Sequence, residues 1–200
     1  MSTEQQPDRI ALFPLHTVLF PGCTLPLQIF EQRYLRLVKT SLQNEHGFVV
    51  VLISAGKEVG EQPEVFSVGC YVNIIDWETL DNGLLGITIQ GQRRMRVSNP
   101  CAQHDGLLMA EAQALQDDTA HEAALLEEYS DLIDTLQHLE QHPFIISQKM
   151  QFDYSSGADI CNKLSYFLPV TNQVKQSLLE MDSLDQRMQM LRSAIAQLQA

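Results

Sequence analysis

Residues 10–34 read IALFPLHTVLFPGCTLPLQIFEQRY, with three prolines set among short apolar runs and no group of side chains that suggests catalysis. Proline holds φ at about −65° and has no N–H for a ladder, so Phe13-Pro14, Phe20-Pro21 and Leu25-Pro26 belong on strand edges, strand starts or extended loops. Gly22 directly after Pro21 is a turn signal. From Glu31 onward, Tyr34, Leu35, Val38 and Leu42 recur at helical spacing, so a first helix is expected to begin near Phe30. The stretch therefore reads as packing and turns: a stiff apolar ribbon that leads into a helix.

Working outward, the chain up to about residue 115 alternates as strands do. The runs Phe48 to Ile53, Ser67 to Asp76, Leu84 to Gln90, Arg94 to Val97 and Leu107 to Ala112 predict an antiparallel sheet that curls, with Asp81-Asn82-Gly83 as a hairpin-type turn. Gln116 to Ala120 is a polar connection. After it every run has helical period. Thr119 with Glu122 forms a capping box for a long amphipathic helix, whose stripe of Leu125, Tyr129, Leu132, Leu136 and Leu139 runs to Pro143. Three more helices are expected. Ser156 and Asp159 cap one carrying Ile160, Leu164 and Phe167; Thr171 starts one carrying Val174, Leu178 and Met181. Ser183 with Gln186 begins the last, with Leu184, Met188, Leu191, Ile195 and Leu198 at heptad-like spacing. The expectation is an α+β chain: residues 1–115 as a β-rich domain and 116–200 as a helical bundle.

The chain has 200 residues, 44% of them hydrophobic, enough for a real core without staples. Its four cysteines, Cys23, Cys70, Cys101 and Cys161, include no Cys-x-x-Cys pair, so buried free thiols are expected rather than a zinc ribbon or redox site. The opening MSTEQQPDR has no apolar core of a signal peptide, and no apolar run approaches the ~20 residues that span a bilayer, so cytoplasm and no membrane partner are expected. The net charge is −12, and no Lys or Arg occurs from Val97 to Gln148. A solvated acidic helix face is the plain reading of that run, and it repels nucleic acid. Basic residues gather instead at Arg33, Arg36 and Lys39 and at Arg93, Arg94 and Arg96, without interleaved aromatics for base stacking.

The candidate chemistry is thin. His138 and His142 are an i, i+4 pair with Glu140 between them, but they lack a zincin spacing and stand just before Pro143. Ser147 near Lys149 and Ser165 near Lys163 carry no nucleophile motif. Gly91 before Gln92-Arg93-Arg94 reads as a turn or bulge, not a phosphate cradle. Tyr71, Asn73 and Trp77 share one face of a strand if alternation is unbroken, as core or as the wall of a peptide groove. Met181, Met188 and Met190 cluster near the C-terminal end; Met188 lies on the core stripe and only Met190 is left free for a partner, so the cluster reads as packing.

The ribbon also carries a resemblance. Phe13-Pro14-Leu15, Val18-Leu19-Phe20-Pro21-Gly22, Leu25-Pro26-Leu27 and Ile29-Phe30-Glu31 with Arg33-Tyr34 closely resemble the opening of the Lon protease N-terminal, substrate-binding domain family. The likeness continues through Gly47 to Ile53, Glu58-Val59-Gly60, Val68-Gly69-Cys70, Gly91 with Arg93, Arg94, Arg96 and Val97, and Leu168-Pro169-Val170 and Lys175 to Glu180. It implies a curled antiparallel pseudo-barrel of the PUA-like kind followed by helices. A full Lon protease adds an ATPase module and a serine–lysine protease domain. No Gly-x-x-x-x-Gly-Lys-Ser/Thr run is present here, so a stand-alone, non-catalytic copy without cofactors is expected.

By resemblance, the partners are unfolded or damaged polypeptides and a protease to which the chain acts as adaptor or regulator. The surface expected to hold polypeptide is the ribbon, with Leu15, Phe20, Leu25, Leu27 and Phe30 lining it. The alternative is an RNA-binding module, from the PUA-like analogy; the charge balance opposes it, and no nucleic-acid partner is expected.

Overall fold

Strand Phe48–Ala55 is an almost unbroken apolar run because both of its faces are covered. Val49 and Val51 point into a small cluster with Leu12, Met95, Val97, Leu108 and Ala110. Phe48, Val50 and Leu52 point the other way, into the main core with Phe13, Phe20 and Tyr34. The computed structural model in which this is seen describes residues 9–58, 63–118 and 121–198. The strands are β1 Arg9–Leu15, β2 Thr24–Ile29, β3 Phe48–Ala55, β4 Glu64–Thr79, β5 Leu85–Ala102 and β6 Leu108–Ala114. The helices are α1 Gln32–Asn44, α2 Glu122–Glu128, α3 Ser130–Glu140, α4 Pro143–Ser147, α5 Gly157–Phe167, α6 Asn172–Glu180 and α7 Leu184–Leu198.

The strands make one sheet in the order β2-β5-β4-β3-β1-β6. It curls so far that the second half of β5 also pairs with β6, Arg96 lying opposite both Val68 and Gln113. The α+β class is as expected; the sheet, expected to be antiparallel throughout, is corrected to a mixed one, and it is not a closed barrel. β1 runs parallel to β3, Leu12 opposite Val49. The cause is the connection between them, which contains β2 and α1 and is long enough to return the chain in the same direction. Leu84–Gln90 and Arg94–Val97 are one long strand bent at Gly91, not two. The three prolines sit where no ladder N–H is asked of them. Pro14 lies beyond the last β1–β6 pair at Leu12, Pro21 opens a turn with Gly22 at φ +74°, and Pro26 is on the edge strand β2.

The single helix expected up to Pro143 is broken at Tyr129, whose backbone (φ −104°, ψ 32°) separates α2 from α3. Pro143 does not end a helix but starts α4 at its first position, the one helical site where a missing N–H costs nothing. Thr119 of the expected capping box lies outside the described residues, as do Val59 and Gly60. Glu122 reaches elsewhere: its carboxylate accepts the Gly157 N–H at 2.7 Å, at the start of α5. The caps at Ser156, Thr171 and Ser183 form as expected. In α7, Leu184, Met188 and Leu191 are buried, Ile195 is half-buried, and Leu198 is exposed. Met190, expected to be free, is half-buried against the core.

The helices do not form a core of their own. Ile160, Leu164, Leu178, Leu184 and Leu191 belong to the same apolar cluster as Phe13, Phe20 and Ile89. A buried polar clasp reinforces that junction. Arg94 of β5, 2% exposed, donates through Nη1 to the carbonyls of Leu179 (2.9 Å) and Met181 (2.7 Å). Its Nη2 meets Gln116 O at 3.1 Å, Asp117 at 3.0 Å and Asp182 at 3.3 Å. Arg187 of α7 binds the same Asp117 oxygen at 2.5 Å. Burial pushes the Arg94 pKa down and Asp117 pushes back. The polar connection after β6 is thus held between a strand and the last helix.

No helix among the described residues is long and apolar enough to cross a membrane. Two substitutions test the packing. Arg94→Met leaves two buried carbonyls without donors and is expected to cost about 3 kcal/mol, the lower end for removing one partner of a buried pair. Gly91→Ala places a Cβ 2.2 Å from the Phe20 carbonyl oxygen, which is backbone and cannot swing aside, at about 1–3 kcal/mol. Urea midpoints measure both; a loss under about 0.5 kcal/mol for either, within the range of ordinary surface changes, shows that its contact is dispensable.

Candidate functional site

The front of the proline ribbon is core. Phe20 is 1% exposed and Cys23 fully buried. Gly22 donates its N–H to Gly91 O (2.8 Å), and Gly91 returns its own to Cys23 O (2.9 Å). From the other side, α5 grips the same turn: Lys163 Nζ donates to Gly22 O at 2.6 Å, and the Tyr166 hydroxyl donates to Thr24 O at 2.8 Å. Phe20 therefore faces no groove. Leu15 is also buried, at 7% exposure, although it forms part of the floor of a cleft described below.

The rear of the ribbon is β2, the edge of the sheet. It pairs with β5, Leu25 opposite Ile89 and Leu27 opposite Ile87. A free edge invites strand addition. This one is blunted, because Pro26 has no N–H and the Thr24 carbonyl already accepts from Tyr166. What the edge offers is side chains. Leu25 and Leu27 are half-buried, and Phe30 just beyond is 54% exposed.

Across β5 the same face continues onto β4, where Ile74 lies opposite Ile89 and Trp77 opposite Ile87. Between them the register slips by one at Ile75. That bulge corrects the expectation for Trp77. Strict alternation would put it with Tyr71 and Asn73, but the extra residue turns it to the face of Val72 and Ile74. There it stands in a row with Ile87 and Leu27 and is 60% exposed, so it is no core residue. The sign in the sequence was the doublet Ile74-Ile75, which interrupts the alternation.

Two clefts flank β2, and Pro26, Leu27 and Gln28 line both. One, of about 220 Å³, runs toward the β4–β5 hairpin and is completed by Asp76, Trp77, Glu78, Leu80, Gly86, Ile87 and Thr88. The other, of about 230 Å³, has Phe13, Leu15, Phe30, Glu31, Tyr34 and Glu58 among its walls. Leu25 lines neither. A larger hollow, of about 650 Å³, lies under α1 with the Arg36–Asp105 ion pair (2.7 Å) at its rim. Phe144 and Ile146 on α4 make a further exposed apolar pair that sequence reasoning missed, although Pro at a first helical position was its signal.

The other candidates are engaged elsewhere. Among the described residues no group of three or more His, Cys, Asp or Glu side chains is placed to hold a metal. His138 Nδ1 lies 2.6 Å from Asp134 O, and His142 accepts the Phe144 N–H as the cap of α4. Ser147 and Ser165 donate to backbone carbonyls on their own helices. Lys163 is buried on Gly22 O and Asp159 (3.4 Å). Of the basic groups, Arg94 is in the clasp, Arg33 is held by Glu31 (2.9 Å) and Gly106 O (2.9 Å), and Arg93 stacks 4.4 Å over the Tyr71 ring.

Large apolar side chains thus stand exposed along one edge of an α+β scaffold. Residues 9–197 match the ATP-dependent protease La (LON) substrate-binding domain, and the chain belongs to that family. It is 26% identical over 185 residues to Lon protease 1 of Sorangium cellulosum, covering 88% of this chain and 22% of that protein. The crystal structure of a Lon N-terminal domain protein from Xanthomonas campestris superposes with a TM-score of 0.69 at 26% identity, covering 93% of this chain and 98% of that one. The N-terminal domain of the Mycobacterium avium complex Lon protease shares the fold, with a TM-score of 0.68 at 17% identity over 94% of this chain and 98% of that one. The chain spans between 14% and 25% of the length of the curated Lon proteases it matches.

Cysteine chemistry follows from the same packing. Burial pushes the thiols of Cys23 and Cys161 up to about 12, and that of Cys70 also upward, so the thiolate is scarce at neutral pH. Cys101 alone among the cysteines is exposed, beside Arg9. A thiol-reactive chromophore is expected to label one cysteine quickly in the native protein and the other three only after denaturation. Rapid labelling of more than one in native buffer contradicts the burial described.

Proposed function

We propose that this protein is a non-catalytic recognition module that captures unfolded or damaged polypeptide on the β2 edge, through Leu25, Leu27 and Phe30 together with Trp77. The observation that carries the reading is the exposure of large apolar side chains, Phe30 just beyond the edge strand and Trp77 across β5 from it. Soluble domains keep such groups exposed at contact sites. Family membership supports the same reading. Recognition by side chains rather than by an added strand suits clients of varied sequence, since the blunted edge demands no register. An adaptor or regulator role toward a protease partner extends this reading, as does the absence of catalysis. RNA binding draws little support, with Arg33, Arg93 and Arg94 occupied by intramolecular partners.

Trp77 is the sole tryptophan, so the site carries its own reporter. Titration with a reduced, alkylated, tryptophan-free polypeptide is expected to move the emission to shorter wavelength as the ring leaves water. Leu27→Ser is expected to weaken capture by about 1–2 kcal/mol, near tenfold in Kd, with the circular dichroism unchanged. Phe20→Ser, by contrast, is expected to unfold the protein. Binding seen by another method with no response at Trp77 and no effect of Leu27→Ser moves the site elsewhere. Cleavage of the client in the presence of ATP by rigorously purified protein overturns the non-catalytic reading.

A further inference from the structure

The two clefts differ from an ordinary apolar groove in the sign of their rims. Asp76 and Glu78 line the first and Glu31 and Glu58 the second, and neither lining contains Lys or Arg. Asp76 and Glu78 flank Trp77 in sequence and all three are exposed. Among the described residues no cation forms an ion pair with either acid; the Asp76 carboxylate accepts only the Trp77 N–H, at 2.9 Å. The acids of the second cleft are less free. Glu31 is held by Arg33, and Glu58 accepts the His16 N–H at 2.5 Å and follows the exposed Lys57. The register sets Asp76 and Glu78 on the opposite face of the sheet from the indole, with Pro26 and Thr88, so they border the apolar edge from behind. Carboxylates so placed attract ammonium and guanidinium groups and repel other carboxylates, an effect that selects among partners more than it adds affinity.

Resting on the recognition reading above, we infer that the segments this edge takes are unfolded stretches in which bulky apolar residues are flanked by Lys or Arg, and that the discrimination resides in Asp76 and Glu78. The apolar side chain sits against Trp77 and Leu27. The flanking cation reaches past the edge of the sheet to Asp76 or Glu78 on its other face. A client with acidic flanks meets the same carboxylates as a repulsion and is passed over even when its apolar core is identical.

The test uses three labelled, tryptophan-free peptides with one Phe/Leu core and flanks of Lys, Gln or Glu, read by fluorescence anisotropy on the intact protein. The Lys-flanked peptide is expected to bind roughly three- to tenfold more tightly than the Glu-flanked one at low salt, the span that two exposed ion pairs provide. The gap should narrow by 0.5 M salt. In the charge-reversed variant Asp76→Lys/Glu78→Lys the order is expected to invert. Equal binding of the Lys and Glu peptides overturns the inference and leaves polypeptide recognition standing. A preference that persists in the reversed variant also overturns it, because the overall charge of −12 and not this rim is then responsible. If none of the three binds, the recognition reading falls and the inference falls with it.

Discussion

The turn Phe20–Thr24 is held from both sides, by β5 backbone packed too closely to admit a side chain and by two side chains of α5. On one side Gly91 brings β5 against it through two N–H···O bonds. On the other, α5 supplies a lysine ammonium, itself buried, and a tyrosine hydroxyl to its carbonyls. A carbonyl turned into a core needs a donor, since an unpaired one costs about 1–3 kcal/mol. Here the donors come from a helix about 140 residues away in sequence, |i−j| being 141 for Lys163 and 142 for Tyr166. The sheet and the helices are thereby joined at the point from which β2 emerges. The position of the edge strand, and with it the apolar surface it offers, follows from that junction.

Much of this could be read from residue patterns, and the failures have definite causes. The alternating runs located β3 to β6, and Ser156, Thr171 and Ser183 marked three helix starts through a short-range rule: a hydroxyl two or three residues ahead of an unpaired N–H. The parallel pairing of β1 with β3 left no local trace, because direction depends on where a distant strand lies. Tyr129, which divides α2 from α3, sits on the same apolar stripe as its neighbours and carries no breaker signal. The ribbon was recognisable as apolar and stiff, but composition does not distinguish Phe20, pressed between β5 and α5, from Phe30, open to water. Only the fold separates them.

The acidic run from residue 97 to 148 is not simply a solvated face. Asp117 holds two arginines, Asp131 binds Arg192, Glu122 caps α5 and Glu140 accepts from the Tyr154 hydroxyl. These carboxylates connect pieces far apart in the chain. Glu127, Glu128 and Asp134 remain on the exposed side. A charge count thus overstates how much of this segment meets a partner. At the hairpin the reverse holds: Asp76 and Glu78 are few but unpaired, and they border the exposed tryptophan.

The bulge at Ile75 makes the character of this surface a matter of register. Whether the chain bulges there decides which side of the sheet receives everything from Asp76 to the hairpin turn. Were the same residues paired without the bulge, the indole would stand beside Tyr71 and Asn73, and the acids would take its place in the row with Leu27. Point substitutions tune such a site by degrees. Removal of Ile75 restores a regular ladder and leaves the indole where it is, whereas one further residue not absorbed by a second bulge exchanges the oily and the charged side at one stroke, while Val72 and everything before it keep their partners. Within a family that shares this sheet, the hairpin is accordingly where the character of the surface can change without disturbing what is folded.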